Sequence, residues 1–199
     1  MYKNVSAKQV EAFTMRKISQ LIASAKENTR NLAELRRGIG KAPGEIPQLW
    51  GYFLESMPEE FYGEEKPSRA EWAVYTAITL FALHQQGKDP EKEPMHRPEQ
   101  TFGKAVAMLI KGDDDRERIS RRFYTVATSS SMEELSHYMR SIVQLFRAEG
   151  IGLDYSKLAR DIFYFQFPER ISSVRLKWGQ DFYGKIKKDE QNQKQEEEK

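Results

Sequence analysis

Residues 68–87 read SRAEWAVYTAITLFALHQQG, and the twelve residues from Trp72 to Leu83 carry no charge. A bilayer span needs about 20 apolar residues, so this stretch reads as a helix buried inside a protein. Ser68 with Glu71 three positions on forms a capping box at its start. Gly87 ends it. A helix apolar on every side must be wrapped by other elements, and the neighbouring sequence supplies them in helical period.

Val10, Phe13, Ile18, Leu21 and Ala25 mark a first helix over about 6–27. A short helix at about 29–37 ends at Gly38, and GIGKAPGEIP at 38–47 is a loop by its glycines and prolines. Another short helix covers about 47–57. Residues 88–100, KDPEKEPMHRPEQ, hold three prolines and no apolar period, which makes them a linker. Thr101 caps a helix to Lys111, Gly112 stops it, and Asp113 to Asp115 open the next. Ser131 with Glu134 is a second capping box, for a helix to about Glu149 that Gly150 and Gly152 break. Asp154 caps the following helix to about Phe165, and Pro168 starts the last. The expectation is an all-α fold of about nine helices in two packed lobes, 1–87 and 101–188, with no significant sheet. The polar tail 189–199 is expected to be disordered.

The chain of 199 residues contains no cysteine and three histidines. That excludes disulfides, thiol catalysis and cysteine metal sites. It also leaves little for a histidine metal site, so no cofactor is expected. The N-terminus shows no apolar signal segment, and a soluble, cytoplasmic protein away from membranes is expected. Lys and Arg number 32 against 30 Asp and Glu, a formal charge of only +2. The near-neutral total hides segregation. Residues 16–41 carry seven basic and two acidic side chains, residues 45–71 two and seven, and residues 157–188 eight and three.

Helical geometry turns these blocks into faces. In the helix at 113–127, Ile119, Phe123 and Val126 form the buried stripe while Arg118, Arg121 and Arg122 share one flank. Like charges so spaced repel by about 0.2–0.5 kcal/mol per pair, so packing does not call for them, whereas a phosphate backbone does. In the helix at 131–149, Met132, Leu135, Met139, Ile142 and Phe146 face inward, and Arg140 and Arg147 lie opposite with Gln144. In the last helix Ile171, Val174, Trp178 and Phe182 face inward, and Arg170 and Lys177 share a flank. Arg30 and Arg37 repeat the pattern near the N-terminus, followed by Lys41 in the glycine-rich loop.

Other motifs are weaker. GIGKAPG fails the P-loop spacing and the dinucleotide fingerprint, and it follows a helix. Its backbone amides could still meet phosphate. Asp113 to Asp115 read first as acids at a helix N-terminus. His84 sits near a helix end, where a C-terminal imidazole is favourable, His96 in the linker and His137 on a polar face. Trp72 and Trp178 read as core residues, while Phe163 and Tyr183 are open candidates for stacking on bases.

LAELRRGIGKAPGEIPQLW at 32–50 resembles the CasB family, the small subunit of the type I-E CRISPR surveillance complex, Cascade. The likeness continues through LFALHQQG at 80–87, FGKA at 102–105, RRF at 121–123, HYMRSIVQLFRAEGIGLDYSKLARDIF at 137–163 and VRLKWGQDFY at 174–183. It spans about 30–184. The resemblance implies a two-lobed helical protein without catalysis, present as two copies beside the CRISPR RNA and the backbone and large subunits. Basic residues in the family help hold target DNA and the displaced strand. The matching positions are Arg36, Arg37, Arg121, Arg122, Arg140 and Lys177. Arg30, Lys41, Arg118, Arg147 and Arg175 join them from the basic pattern alone.

Three functions follow in order of preference. The first is a nucleic-acid-binding subunit in which guide pairing supplies sequence and this chain supplies backbone electrostatics. The second is a structural adaptor whose acidic block 45–71 docks on a basic partner and whose arginines make salt bridges. The third is a hydrolase working through the acids at 113–115.

Overall fold

The computed structural model describes residues 5–27 and 30–197. The expected helix start at 29 and the last two residues of the tail lie outside the described residues. Among those described there are nine α-helices and no strand. They are α1 (Ala7–Glu27), α2 (Arg30–Leu35), α3 (Trp50–Leu54), α4 (Arg69–His84), α5 (Phe102–Ala107), α6 (Asp113–Ala127), α7 (Met132–Glu149), α8 (Tyr155–Phe165) and α9 (Pro168–Glu197). Short 3-10 turns at Arg36–Gly38, Pro47–Leu49 and Glu59–Phe61 fill the first half. The architecture is all-α, as the apolar period predicts.

The uncharged helix is the axis of the fold. Every residue of α4 from Ala73 to His84 is buried, and its capping box forms: Ser68 Oγ accepts from Glu71 N at 3.0 Å while the Glu71 carboxylate accepts from Ser68 N at 2.7 Å. Around it pack α1, α2, α7 and α8. α1 also lies along α8, so the core runs through both halves of the chain as one cluster. Trp178 on α9 is fully buried and Trp72 on α4 only half-buried. The Trp178 indole N–H donates to Asp161 on α8 at 2.9 Å, which satisfies its buried donor.

The proline-rich segment is anchored despite its lack of period. Gln85 holds it from the end of α4, donating to the carbonyls of Lys88 and Glu93 and accepting from Met95 N at 2.9 Å. An isolated bridge between His96 and Leu153 continues the attachment, with Leu153 N donating to Met95 O and Arg97 N to Leu153 O. Met95 and His96 are buried in consequence. Proline removes the helix, not the hydrogen bonds. The polar stretch at 189–197, for which the composition predicts disorder, continues α9 to Glu197.

Two glycines are set by geometry. Gly150 ends α7 with φ of 65°, where any side chain is strained. Gly103 lets α5 touch α9 backbone to backbone: a Cβ there would collide with the Trp178 carbonyl oxygen and come within 3.0 Å of Phe182 N.

Candidate functional site

The basic residues expected to meet phosphate fall into two groups and several outliers. The first group surrounds an open groove of about 660 Å³ lined by Arg30, Arg36 and Lys88 together with Asp89 and Glu91, and Lys88 is paired with Glu93 at 3.1 Å. Arg36 stands on the turn after α2, half-buried. Burial, and then the nearby charge of Arg147, hold its guanidinium below its ordinary pKa. Arg147 reaches across from α7 to donate to Gln86 Oε1 at 2.7 Å. Two cations brought together with partial desolvation are costly, and an anion between them would relieve that cost. Lys88 is the residue that sequence reasoning missed. It follows Gly87 in a segment without helical period, so no face could be assigned to it.

The second group is on α6. Arg118, Arg121 and Arg122 share an open depression of about 450 Å³ with Asp114, Glu117 and Thr125. Arg118 pairs with Asp115 and Arg121 with Glu117 at 2.6 Å, each one turn away on the same helix. The Arg122 guanidinium has no ion pair or hydrogen bond among the described residues. Asp115 also accepts from Lys111 N at 3.3 Å, so it serves the helix start. These bonds, chiefly that from Arg118, hold its pKa below the ordinary carboxylate value. The Asp113 side chain lies outside the described residues. Among the described residues no cluster of His, Asp and Glu is built to hold a metal ion.

The outliers divide. Arg37 and Arg140 are exposed, and Arg140 has no partner for its guanidinium among the described residues. Arg30 pairs with Glu34 at 2.9 Å, Lys41 with Glu45 at 3.5 Å and Lys177 with Asp181 at 2.7 Å. Arg175 turns inward: it donates to Ser129 O at 3.4 Å, lies 5.6 Å from the Phe165 ring centroid and has a buried Nε without a partner. In the glycine-rich loop Glu45 already accepts from Ala42 N at 2.7 Å, so that amide is taken. Phe163 is buried and offers no face to a base, whereas Tyr183 is exposed.

Two histidines stand where the sequence places them but are buried. His84, expected as an imidazole near a helix end, is there but fully buried, and its pKa falls to about 4, mainly by desolvation. His96, in the proline-rich segment, accepts from Tyr155 N at 3.3 Å. Among the described residues no helix is long and apolar enough to cross a membrane.

A helical core with segregated surface charge and open depressions of mixed charge defines an all-α protein. Comparison with curated proteins returns no match. Residues 31–183 match the family described as CRISPR-associated protein Cse2. The chain therefore belongs to the CRISPR-associated Cse2 family, also called CasB. The crystal structure of CasB from Thermobifida fusca is similar at 29% identity and a TM-score of 0.69, over 88% of this chain and 96% of that one. CasB from M. ruber superposes with a TM-score of 0.62 at 23% identity, over 88% and 97%. A Cse2-family protein from Thermus thermophilus gives 0.63 at 20% identity, over 90% and 99%. The last two show the shared fold.

Proposed function

We propose that this chain is a non-catalytic subunit of a type I-E Cascade complex that grips nucleic-acid backbone through its basic surfaces. It steadies CRISPR RNA, target DNA and the displaced strand once guide pairing has chosen the sequence, and it works in the cytoplasm, as two copies beside the backbone and large subunits. The observation that carries this reading is the α6 depression, where three arginines face solvent together and Arg122 has no acid of its own among the described residues. The partners of Arg118 and Arg121 do not argue against it. Exposed pairs one turn apart are worth only about 0.3–0.5 kcal/mol, less than a charge-assisted contact to phosphate with release of its counterions. Arg36 beside Arg147 adds a second place where an anion would be welcome.

A structural adaptor is the second reading, favoured by the internal engagement of Arg175 and Lys177. The separating experiment measures target binding by the assembled complex across a salt series, for wild type and for Arg122→Gln with Arg140→Gln. Backbone binding predicts weaker affinity and a shallower salt slope in the variant. An adaptor predicts that neither moves.

A further inference from the structure

Phe123–Tyr124 on α6 and Phe182–Tyr183 on α9 are matched aromatic pairs that meet. Their phenylalanines stack in the core, ring centroids 4.8 Å apart at 27°. Successive helix residues point about 100° apart, so each tyrosine emerges at the rim beside its buried neighbour. There the two hydroxyls hydrogen-bond to one another. Tyr124 is 47% exposed and Tyr183 50% exposed, and each ring contacts the phenylalanine that precedes it. Phe182 meets Tyr183 edge-on at 5.1 Å. Two half-exposed aromatic rings thus stand side by side at the rim of α6 and α9.

Their neighbours are exposed ion pairs, Arg121 with Glu117 and Arg116 with Glu190. Arg121 lies one turn before Tyr124 on α6, in the arginine depression. Arg116, paired with Glu190 of α9 at 3.0 Å, bears electrostatically on Tyr183. An aromatic ledge whose nearest cations can exchange an exposed carboxylate for a phosphate is a combination that holds single strands: cations follow the backbone while bases lie on the rings. A duplex hides its base faces within its own stack and cannot use the ledge.

We infer that Tyr124 and Tyr183 form a stacking platform for one or two unpaired bases of a strand whose phosphates lie on the α6 arginines. The inference rests on the proposed nucleic-acid function and deepens it, by making the α6 surface selective for single strands. An unmodified DNA strand and an RNA strand present the same chemistry to it.

The experiment uses the full chain with oligo-dT, oligo-U and a duplex of equal length, each followed by anisotropy across a salt series. The variants are Tyr124→Leu with Tyr183→Leu, and Tyr124→Phe with Tyr183→Phe. Stacking is worth enough per base that the leucine pair should weaken single-strand binding about ten-fold. Duplex affinity and the salt slope should stay as in wild type, since no cation is removed. The phenylalanine pair, which keeps the rings and loses the hydroxyl bond, should bind single strands within about two-fold of wild type. Photocrosslinking with 4-thiothymidine or 4-thiouridine in the strand should label Tyr124 or Tyr183. The DNA and RNA arms show which strand is preferred. Leucine variants that bind single strands as wild type does overturn the platform and leave the proposed function standing. Equal loss in the leucine and phenylalanine pairs also overturns it, because the pair is then only a clasp between α6 and α9. A wild-type chain that binds no strand in any arm overturns the platform, while the proposed function still stands or falls on target binding by the assembled complex.

Discussion

His84 Nδ1 and Tyr155 Oη share a buried hydrogen bond of 2.9 Å although 71 residues separate them. It ties the end of α4 to the start of α8, and Tyr155 N in turn donates to His96 of the proline-rich segment. Three parts of the chain thus meet on two imidazoles kept from water. The backbone carbonyls of Phe146 and Ile151 favour a proton on His84. Desolvation opposes it more strongly, joined by the charges of Lys88 and Arg147, and the pKa drops to about 4.

An acid-sensitive fold follows. Between pH 6.5 and about 4 the unfolded chain takes up a proton at His84 that the folded chain refuses. Stability therefore falls as pH falls through that window and levels off below it. The distance from 6.5 to about 4 corresponds to a loss of about 3 kcal/mol. His96 acts in the same direction, because burial lowers its pKa also. Urea midpoints at pH 7.5 and pH 4.5 should differ strongly in wild type and less in His84→Gln, which cannot titrate. Equal pH dependence in the two proteins would show that His84 is not the sensor.

Gly103 predicts a packing failure. Its α-carbon faces the Trp178 carbonyl and Phe182 N so closely that a methyl group has nowhere to go. Gly103→Ala must push α5 off α9 or bend α9, at a cost of about 1–3 kcal/mol. In an exposed helix the same change would stabilise by about 0.5–1 kcal/mol. Thermal melting reads the sign directly, and a raised Tm would show that the two helices can separate freely.

The division between what was legible and what was not has a physical basis. Ile119, Phe123 and Val126 on α6, and Leu135, Met139, Ile142 and Phe146 on α7, are all buried. Burial on one side of a helix imposes a period that a sequence displays. The anchoring of 88–100 by Gln85 and Leu153 imposes none, because single hydrogen bonds between distant residues leave no repeat. Thr101 was readable as a cap, yet its hydroxyl is buried without a partner and makes no capping bond. The α6 arginine row was legible from helix angles, whereas the inward turn of Arg175 depends on Phe165 and Ser129 arriving from elsewhere. Lys88 entered the groove by the same route, through tertiary structure alone.

The acidic block offers a test of assembly. Glu71 is occupied by its capping box and by Gly63 N, and Glu45 by Lys41. Glu59, Glu60, Glu64 and Glu65 stand exposed in the same stretch. Concentrated charge of one sign steers association with a basic partner. Reversing these four to lysine should weaken incorporation into the complex, chiefly through the association rate, and leave the melting temperature of the isolated chain within a few degrees. Full-strength assembly at low salt would reduce the block to solvated surface.

The sharpest test of the α6 surface uses two changes of opposite sign. Arg121 is shared between solvent and Glu117, both largely exposed. Any phosphate that approaches must compete with that carboxylate, which also repels it. Glu117→Gln removes competitor and repulsion together, so nucleic-acid affinity should rise about two- to five-fold, in keeping with a surface charge worth about 0.3–1 kcal/mol. Arg121→Gln with Arg122→Gln removes two phosphate contacts and should lower affinity about ten-fold, since 1.4 kcal/mol is one decade. The salt slope should fall by roughly two in the double variant and stay near wild type in Glu117→Gln. Ile119 and Phe123 keep α6 seated in each case, and glutamine is a good helix former. Melting temperatures should therefore agree to within a few degrees. A purely structural role predicts another pattern. Both variants would then break the same Arg121–Glu117 pair, lower stability alike and leave binding of target DNA by the assembled complex unchanged.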